Sequence, residues 1–256
     1  METNMALSDR VDHDRWEMAQ AWERQHWIRN HKALARYGKN WIWRVLAALG
    51  MVPKYRGDDR NTWWQRSFEN YSFLPPRVEN ALEVGCGPYT NIRLIRGACQ
   101  PEHLFLSDPL IRTYVNFKMT FVNELYREAA CCLDDHPLEQ LPFADGYFDL
   151  AVMINVLDHV QDARACMESL IRVLKPGGFV VIGQDLSNEE DSKQQPDGLR
   201  TGHPITLDES WFNPYLEGNF DTAFHKILPR EVGWAPQWHY GTLVFSGTKR
   251  SSVPDR

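Results

Sequence analysis

The stretch Ala81-Leu82-Glu83-Val84-Gly85-Cys86-Gly87-Pro88-Tyr89-Thr90 runs from apolar residues into a carboxylate and two glycines. In a doubly wound sheet such a turn brings backbone N–H groups up to a nucleotide: the glycines turn tightly and leave no side chain in the way, and the acid receives a hydroxyl or an ammonium. Glu83, Gly85, Cys86 and Gly87 are therefore candidate contacts for an adenosine-like ligand. A short Gly-x-Gly also arises by chance at ordinary strand-to-helix turns, so the neighbouring residues decide. His103-Leu104-Phe105-Leu106-Ser107-Asp108 reads as a second buried strand ending in an acid, where such folds hold ribose hydroxyls, and points to Asp108 as the ribose ligand. Proton-handling candidates are His159, His203 and His239, with Asp158 and Asp185 beside them. Of these, His203 stands on the stiffest backbone, between Gly202 and Pro204, so its ring is held in place; His159 reads first as structural.

These residues need strands to carry them. A third strand is expected over residues 129–133, followed by a turn-rich approach, 138–149, to an apolar strand at 150–154. Asn155 follows that strand directly and borders the ligand crevice. A helix over 163–174 meets Lys175-Pro176-Gly177-Gly178, where the lysine suits the negative helix end and Pro-Gly-Gly stops the helix, and a strand at 179–182 follows. Residues 187–202 read as a polar loop over the strand ends, its charges solvated. A short helix at Trp211-Phe212 and strands at 220–228 and 241–246 complete the chain.

Taken in order, Glu83-Val84-Gly85-Cys86-Gly87, Asp108, Leu141-Pro142-Phe143 through Phe148-Asp149, and Arg172-Val173-Leu174-Lys175-Pro176-Gly177-Gly178 resemble class I S-adenosylmethionine-dependent methyltransferases of the type 11 group, over residues 79–183. The resemblance implies an α/β, Rossmann-like doubly wound sheet whose last two strands form an antiparallel pair. It implies S-adenosyl-L-methionine as cofactor, held by Glu83, Gly85, Cys86, Gly87 and Asp108 with Leu138 and Asn155 at its border. Two positions depart from the family. Tyr89 stands where a third glycine is usual, so its ring either points away or lies against the cofactor, and Pro137 stands where relatives place an aspartate for the adenine amino group. Asp134, Asp135 or the backbone near Leu138 are left as adenine acceptors.

Composition agrees with an enzyme acting on small polar molecules. At 256 residues and 43% hydrophobic, the chain can bury one large core. A net charge of −6 argues against a nucleic-acid substrate. Five cysteines without Cys-x-x-Cys spacing suit a reduced, cytoplasmic protein without a zinc site. The apolar run from Trp41 to Val52, broken by Arg44, is too short to span a bilayer, and no membrane partner is expected. Seven of the ten tryptophans fall in residues 1–75. With Trp16, Glu23 and Trp27 at helical spacing, that segment reads as a helical cap, and residues 76–256 as the catalytic unit. Trp63 and Trp64 are the expected lid.

The expected activity is methyl transfer to a hydroxyl or amine of a small metabolite, a sugar of a natural product or surface glycan being preferred. Asp158, Asp185 and Glu189 offer carboxylates for a metal, but scattered carboxylates are usually solvated and the site is read as metal-free. Competing readings are a non-catalytic cofactor-binding partner protein and, more weakly, a nicotinamide oxidoreductase, which Thr90 disfavours by occupying the sixth position of Gly-x-Gly-x-x-Gly.

Overall fold

The structure is a computed structural model and describes residues 9–39, 41–49, 51, 59–118 and 120–251. Seven strands form one sheet: β1 (Arg77–Val84), β2 (Gln100–Ser107), β3 (Cys132–Asp134), β4 (Phe148–Ile154), β5 (Leu174–Leu186), β6 (Phe220–Pro229) and β7 (Gly241–Lys249). Their order is β3-β2-β1-β4-β5-β7-β6, with β7 antiparallel to both neighbours and the first five strands parallel. Helices α1 (His13–Lys39), α2 (Trp41–Ala48), α3 (Asp59–Ser67), α4 (Ile92–Ile95), α5 (Ile111–Tyr114), α6 (Phe121–Arg127), α7 (Ala163–Val173), α8 (Glu189–Gln194), α9 (Asp197–Gly202) and α10 (Glu209–Asn219) surround it.

The central strands β1, β4 and β5 are buried almost throughout because both faces of the sheet are covered there. Leu82, Val84, Ala151, Met153, Val180 and Ile182 point into one core, shared with Cys166, Met167 and Leu170 of α7. Their alternates Ala81, Leu150, Val152, Ile154 and Val181 point into the other, with Ile92, Tyr114 and Val122. Each large apolar side chain buried this way contributes about 1.5–3 kcal/mol, so truncating Leu82 to Ala costs about 2–5 kcal/mol. Helix starts follow from side-chain caps: Thr120, Asp162 and Asp208 accept the backbone N–H of Asn123, Ala165 and Trp211.

The turn motifs singled out in the sequence fasten these layers. Arg172 at the end of α7 donates to the carbonyls of Leu141 (2.8 Å) and Phe143 (2.7 Å), which ties the Leu-Pro-Phe turn to the helix end. Lys175 reaches Asp149 at 2.8 Å. Here the structure corrects an expectation: α7 ends at Val173, and β5 already pairs at Leu174 with Phe148, after which Leu150 pairs with Phe179. The Lys-Pro-Gly-Gly segment is thus an outward bulge in a strand, with Gly177 at φ +77°.

Three further expectations differ. β3 begins at Cys132 because Ala129 takes φ 51° and cannot extend the strand backwards. The loop after β5 holds α8 and α9; Asn188 caps α8, and Asp191 is buried and paired with Arg230 at 2.7 Å instead of lying in solvent. Trp64 is 1% exposed, and a Cβ on Gly183 of β5 would meet its ring at 2.8 Å, so this tryptophan is part of the sheet's core. Trp63 stacks edge-on against it and donates Nε1–H to the carbonyl of Val232.

Candidate active site

The strand order reverses between β1 and β4, and in open α/β sheets the crevice at the carboxyl ends of such strands is where ligands bind. A cavity of about 190 Å³ lies there, under α1. Its floor is the glycine loop: Gly85 at φ +60° and Gly87 at φ +54° take the left-handed turn that a side chain resists. Asp108, at the end of β2, accepts Gly87 N–H (3.0 Å) and Leu110 N–H (2.8 Å) and faces the same cavity. Burial pushes its carboxyl up to about 7 despite those two donors. Cys86 is buried in the loop, its thiol pushed up by burial and by Asp108.

Glu83 is placed differently. Its oxygens accept the backbone N–H of Asn91 (2.8 Å) and Ile92 (3.0 Å), the Asn91 side chain and the Thr90 hydroxyl. The carboxylate is spent on closing the turn into α4 from behind and does not line the cavity, which corrects its expected place as a ligand contact. Its pKa is raised by burial, against the pull of those donors. Thr90, at φ 34°, holds the position where another glycine would relax the turn. Tyr89 lies against Trp27, ring centres 5.9 Å apart, and lines the cavity.

Leu138 lines a smaller adjoining cavity with Gly85, Ser107, Pro137 and Val156. Asp134 is bound to Ser107 Oγ (2.7 Å) and His136, and Asp135 pairs with Arg112 on the surface. Among the adenine acceptors considered, the segment near Leu138 is the one that borders a cavity reaching the glycine loop.

Asn155, at φ 58°, ends β4 in a left-handed turn that asparagine tolerates well, and it lines both the glycine-loop cavity and a second one of about 210 Å³. The second chamber brings His159, His203 and His239 together with Asp158 and Asp185. Trp22, Trp234 and Trp238 wall it. Those three rings, with Glu23 and Arg60, were not singled out as site residues in the sequence. Only the i, i+4 spacing of Glu23 and Trp27, whose indole N–H donates to Glu23 at 2.7 Å, could have pointed there.

The histidines carry different charges. Burial disfavours the His159 cation, but Glu23 (3.1 Å) and Asp158 (3.8 Å) outweigh it and lift the ring to about 10. Burial, then the charge on His159, press His203 down to about 4, so it is neutral. Its Nδ1 lies 2.8 Å from the carbonyl of Leu199 and must donate there, which leaves the lone pair on Nε2. Burial would raise Glu23 and Asp158, yet the neighbouring histidines hold both at about 2. Asp185 is ion-paired with Arg60 and accepts from Thr242.

Residues 82–182 match the family described as "Methyltransferase domain". This segment, about two fifths of the chain, carries a methyltransferase domain, and the sheet around it has the class I S-adenosylmethionine-dependent methyltransferase fold. The chain's cofactor is S-adenosylmethionine. The methyltransferase fold is shared with N-methyltransferase NodS from Bradyrhizobium japonicum: TM-score 0.55 at 19% identity, over 78% of this chain and 99% of that one. The malonyl-[acyl-carrier protein] O-methyltransferase of Pseudescherichia vulneris is 27% identical over 63% of this chain and 56% of its own length. The tRNA U34 carboxymethyltransferase of Campylobacter curvus is 28% identical over 48% of this chain and 41% of its own length. The match thus spans roughly half of each of these two relatives. No helix among the described residues of the methyltransferase is long and apolar enough to cross a membrane.

Proposed function

We propose that this methyltransferase transfers a methyl group from S-adenosylmethionine to a hydroxyl or amine of a small polar metabolite, with a sugar unit as the preferred acceptor. One observation carries the reading. The glycine-loop cavity and the histidine chamber share five lining residues, Glu23, Trp27, Arg60, Asn155 and His159, so two ligands in them would meet across a common wall. Residues of the first cavity fit the cofactor: the space above Gly87 is open, where a Cβ would have nothing within 4 Å, and Asp108 sits beside it.

When bound, S-adenosylmethionine supplies an already electrophilic methyl, so the protein's task is mainly alignment and exclusion of water. Trp22, Trp234 and Trp238 offer flat apolar faces of the sort that stack on sugar rings, and the carboxylates and imidazoles between them suit hydroxyl or amino substituents. An alcohol needs help in giving up its proton, and the lone pair at His203 Nε2 is the chamber's best placed group to give it. His159 is fixed as a cation by Glu23 and Asp158 and braces the wall. His239, bound through Nδ1 to Ser187 at 2.8 Å, is the second candidate.

The test is incubation with S-adenosylmethionine and hydroxylated metabolites, amino sugars, nucleotide sugars and glycans, read by mass spectrometry for one added methyl. His203→Ala should leave cofactor affinity unchanged and lower transfer by roughly a hundredfold or more. Thermal stabilisation by S-adenosylmethionine with no methyl added to any acceptor would favour a cofactor-binding partner protein.

A further inference from the structure

The histidines of the second chamber have one arrangement in common. His159 gives its Nδ1 to the carbonyl of Gly202 (2.8 Å), and His203 gives its Nδ1 to the carbonyl of Leu199 (2.8 Å). Glu23 stands at 3.1 Å from the same Nδ1 of His159. Both rings are therefore anchored on one side by oxygen acceptors and turn Nε2 to the other. There the two Nε2 atoms face the two oxygens of Asp158, at 3.8 Å from Oδ1 and 3.7 Å from Oδ2.

Those separations are too long for hydrogen bonds. Both Nε2 atoms thus face the carboxylate across gaps that an ion could bridge, and an ion there would displace the Nε2 proton that Glu23 and Asp158 otherwise hold on His159. The donor atoms of Asp158, His159 and His203 all fall within 4.8 Å of one another. Ligand distances of about 2.0–2.2 Å would bring such atoms to about 3–3.5 Å apart, so the 3.7 and 3.8 Å contacts to Asp158 would have to close on binding. Two imidazoles and one carboxylate form the donor set that suits a first-row transition metal, and rings whose second nitrogen is bound to a carbonyl or carboxylate are the usual form of ligating histidines. Asp158 is fixed too, accepting Gln184 Nε2 at 3.0 Å.

We propose that Asp158 and the Nε2 atoms of His159 and His203 hold a divalent first-row transition-metal ion in the second chamber, with its open positions turned toward the acceptor. The inference rests on that chamber being the acceptor's, and it replaces the direct base role of the His203 lone pair with ligation of the ion. A hydroxyl bound to the ion loses its proton to chamber water more readily than a free alcohol, and the oxygen keeps the electron pair that attacks. The acceptor class is thereby narrowed to hydroxyl compounds. Sequence spacing hides the set, because Asp158 and His159 follow β4 whereas His203 follows α9, and the two segments meet through His159 Nδ1 on the Gly202 carbonyl and Ile205 N–H on the Asp158 carbonyl.

The experiment titrates Co²⁺, and in parallel Zn²⁺, into EDTA-treated full-length protein, following the cobalt d–d absorption and the heat of binding. One equivalent should bind, with a spectrum showing nitrogen ligation. His203→Ala and Asp158→Asn should each weaken it at least tenfold, while His136→Ala, in the separate Asp134-Asp135-His136 cluster, should not. His203→Gln serves if the alanine variant melts early. Absence of saturable uptake by the wild type, or uptake indifferent to His203 replacement, overturns the site. Binding of S-adenosylhomocysteine and acceptor turnover are measured on the same samples. Full turnover in EDTA with an inactive His203→Ala protein would make His203 a direct base, ending the metal inference and leaving the acceptor reading intact.

Discussion

Gly85 and Gly87 share a left-handed backbone, yet the structure separates the consequences of replacing them. A Cβ on Gly85 would stand 2.4 Å and 2.7 Å from the two methyl carbons of Val156, whereas one on Gly87 would meet nothing within 4 Å. Either alanine forces an L-residue into φ near +55 to +60°, which costs about 1–2 kcal/mol. Gly85→Ala adds overpacking against a buried residue of the post-β4 turn, about 1–3 kcal/mol more. The expected loss of stability is therefore about 2–5 kcal/mol for Gly85→Ala and about 1–2 kcal/mol for Gly87→Ala. Urea unfolding gives both, and a Gly85→Ala/Val156→Ala cycle should show a favourable coupling of about 0.5–3 kcal/mol as the clash is relieved. Cofactor affinity should divide the other way in the folded proteins. The methyl of Gly87→Ala enters the open space of the cavity and should weaken S-adenosylhomocysteine by about tenfold or more, about 1.4 kcal/mol, in calorimetry. Equal destabilisation by the two alanines, or full affinity in Gly87→Ala, would refute this account of the loop.

Asp108→Ala should cost about 1–3 kcal/mol of cofactor affinity with the fold retained, and unchanged calorimetric affinity would remove Asp108 as the ribose ligand. Its carboxyl, raised by burial from 3.8 to about 7, also sets two opposite pH trends. The stability its protonated form provides is complete below about pH 4 and is lost as pH rises through 7, while cofactor affinity should increase from pH 6 to 8 as the carboxylate becomes able to accept both ribose hydroxyls. Glu83→Ala leaves the Thr90 hydroxyl and two backbone N–H groups without their partner, about 1–3 kcal/mol each, so the melting temperature should collapse; a stable variant with altered cofactor binding alone would contradict its place behind the turn. Gly202→Ala would drive a Cβ to 2.2 Å from the Trp22 ring and should lower stability by about 1–3 kcal/mol, partly recovered when Trp22 is also reduced to alanine.

What could be read in the sequence follows from the range of the interactions. The left-handed glycine loop and the parallel sheet closed by an antiparallel pair were legible because they rest on local backbone requirements taken in order, whereas the Pro-Gly-Gly segment was misread as a helix stop because a glycine bulge inside a strand has the same local pattern. Glu83 shows the limit of such reading: an acid at a strand end has the same sequence pattern whether it meets a ligand or caps the next helix, and only its four donors reveal which. The tryptophans of residues 1–75 were equally ambiguous by type. Packing divides them: Trp64 is buried beneath Gly183 and shows only an edge to the glycine-loop cavity, while Trp27 walls that cavity and Trp22 the second chamber. The second chamber was least legible because its chemistry depends on long-range neighbours. His203 owes its neutral ring to burial and to the cation on His159, and His159 owes that cation to Glu23 from α1. An N-terminal helix thereby sets the protonation of a histidine after β5. Changing Glu23 should alter acceptor chemistry although Glu23 itself transfers no proton, and Glu23→Gln should relax His159 toward neutrality without moving the glycine loop.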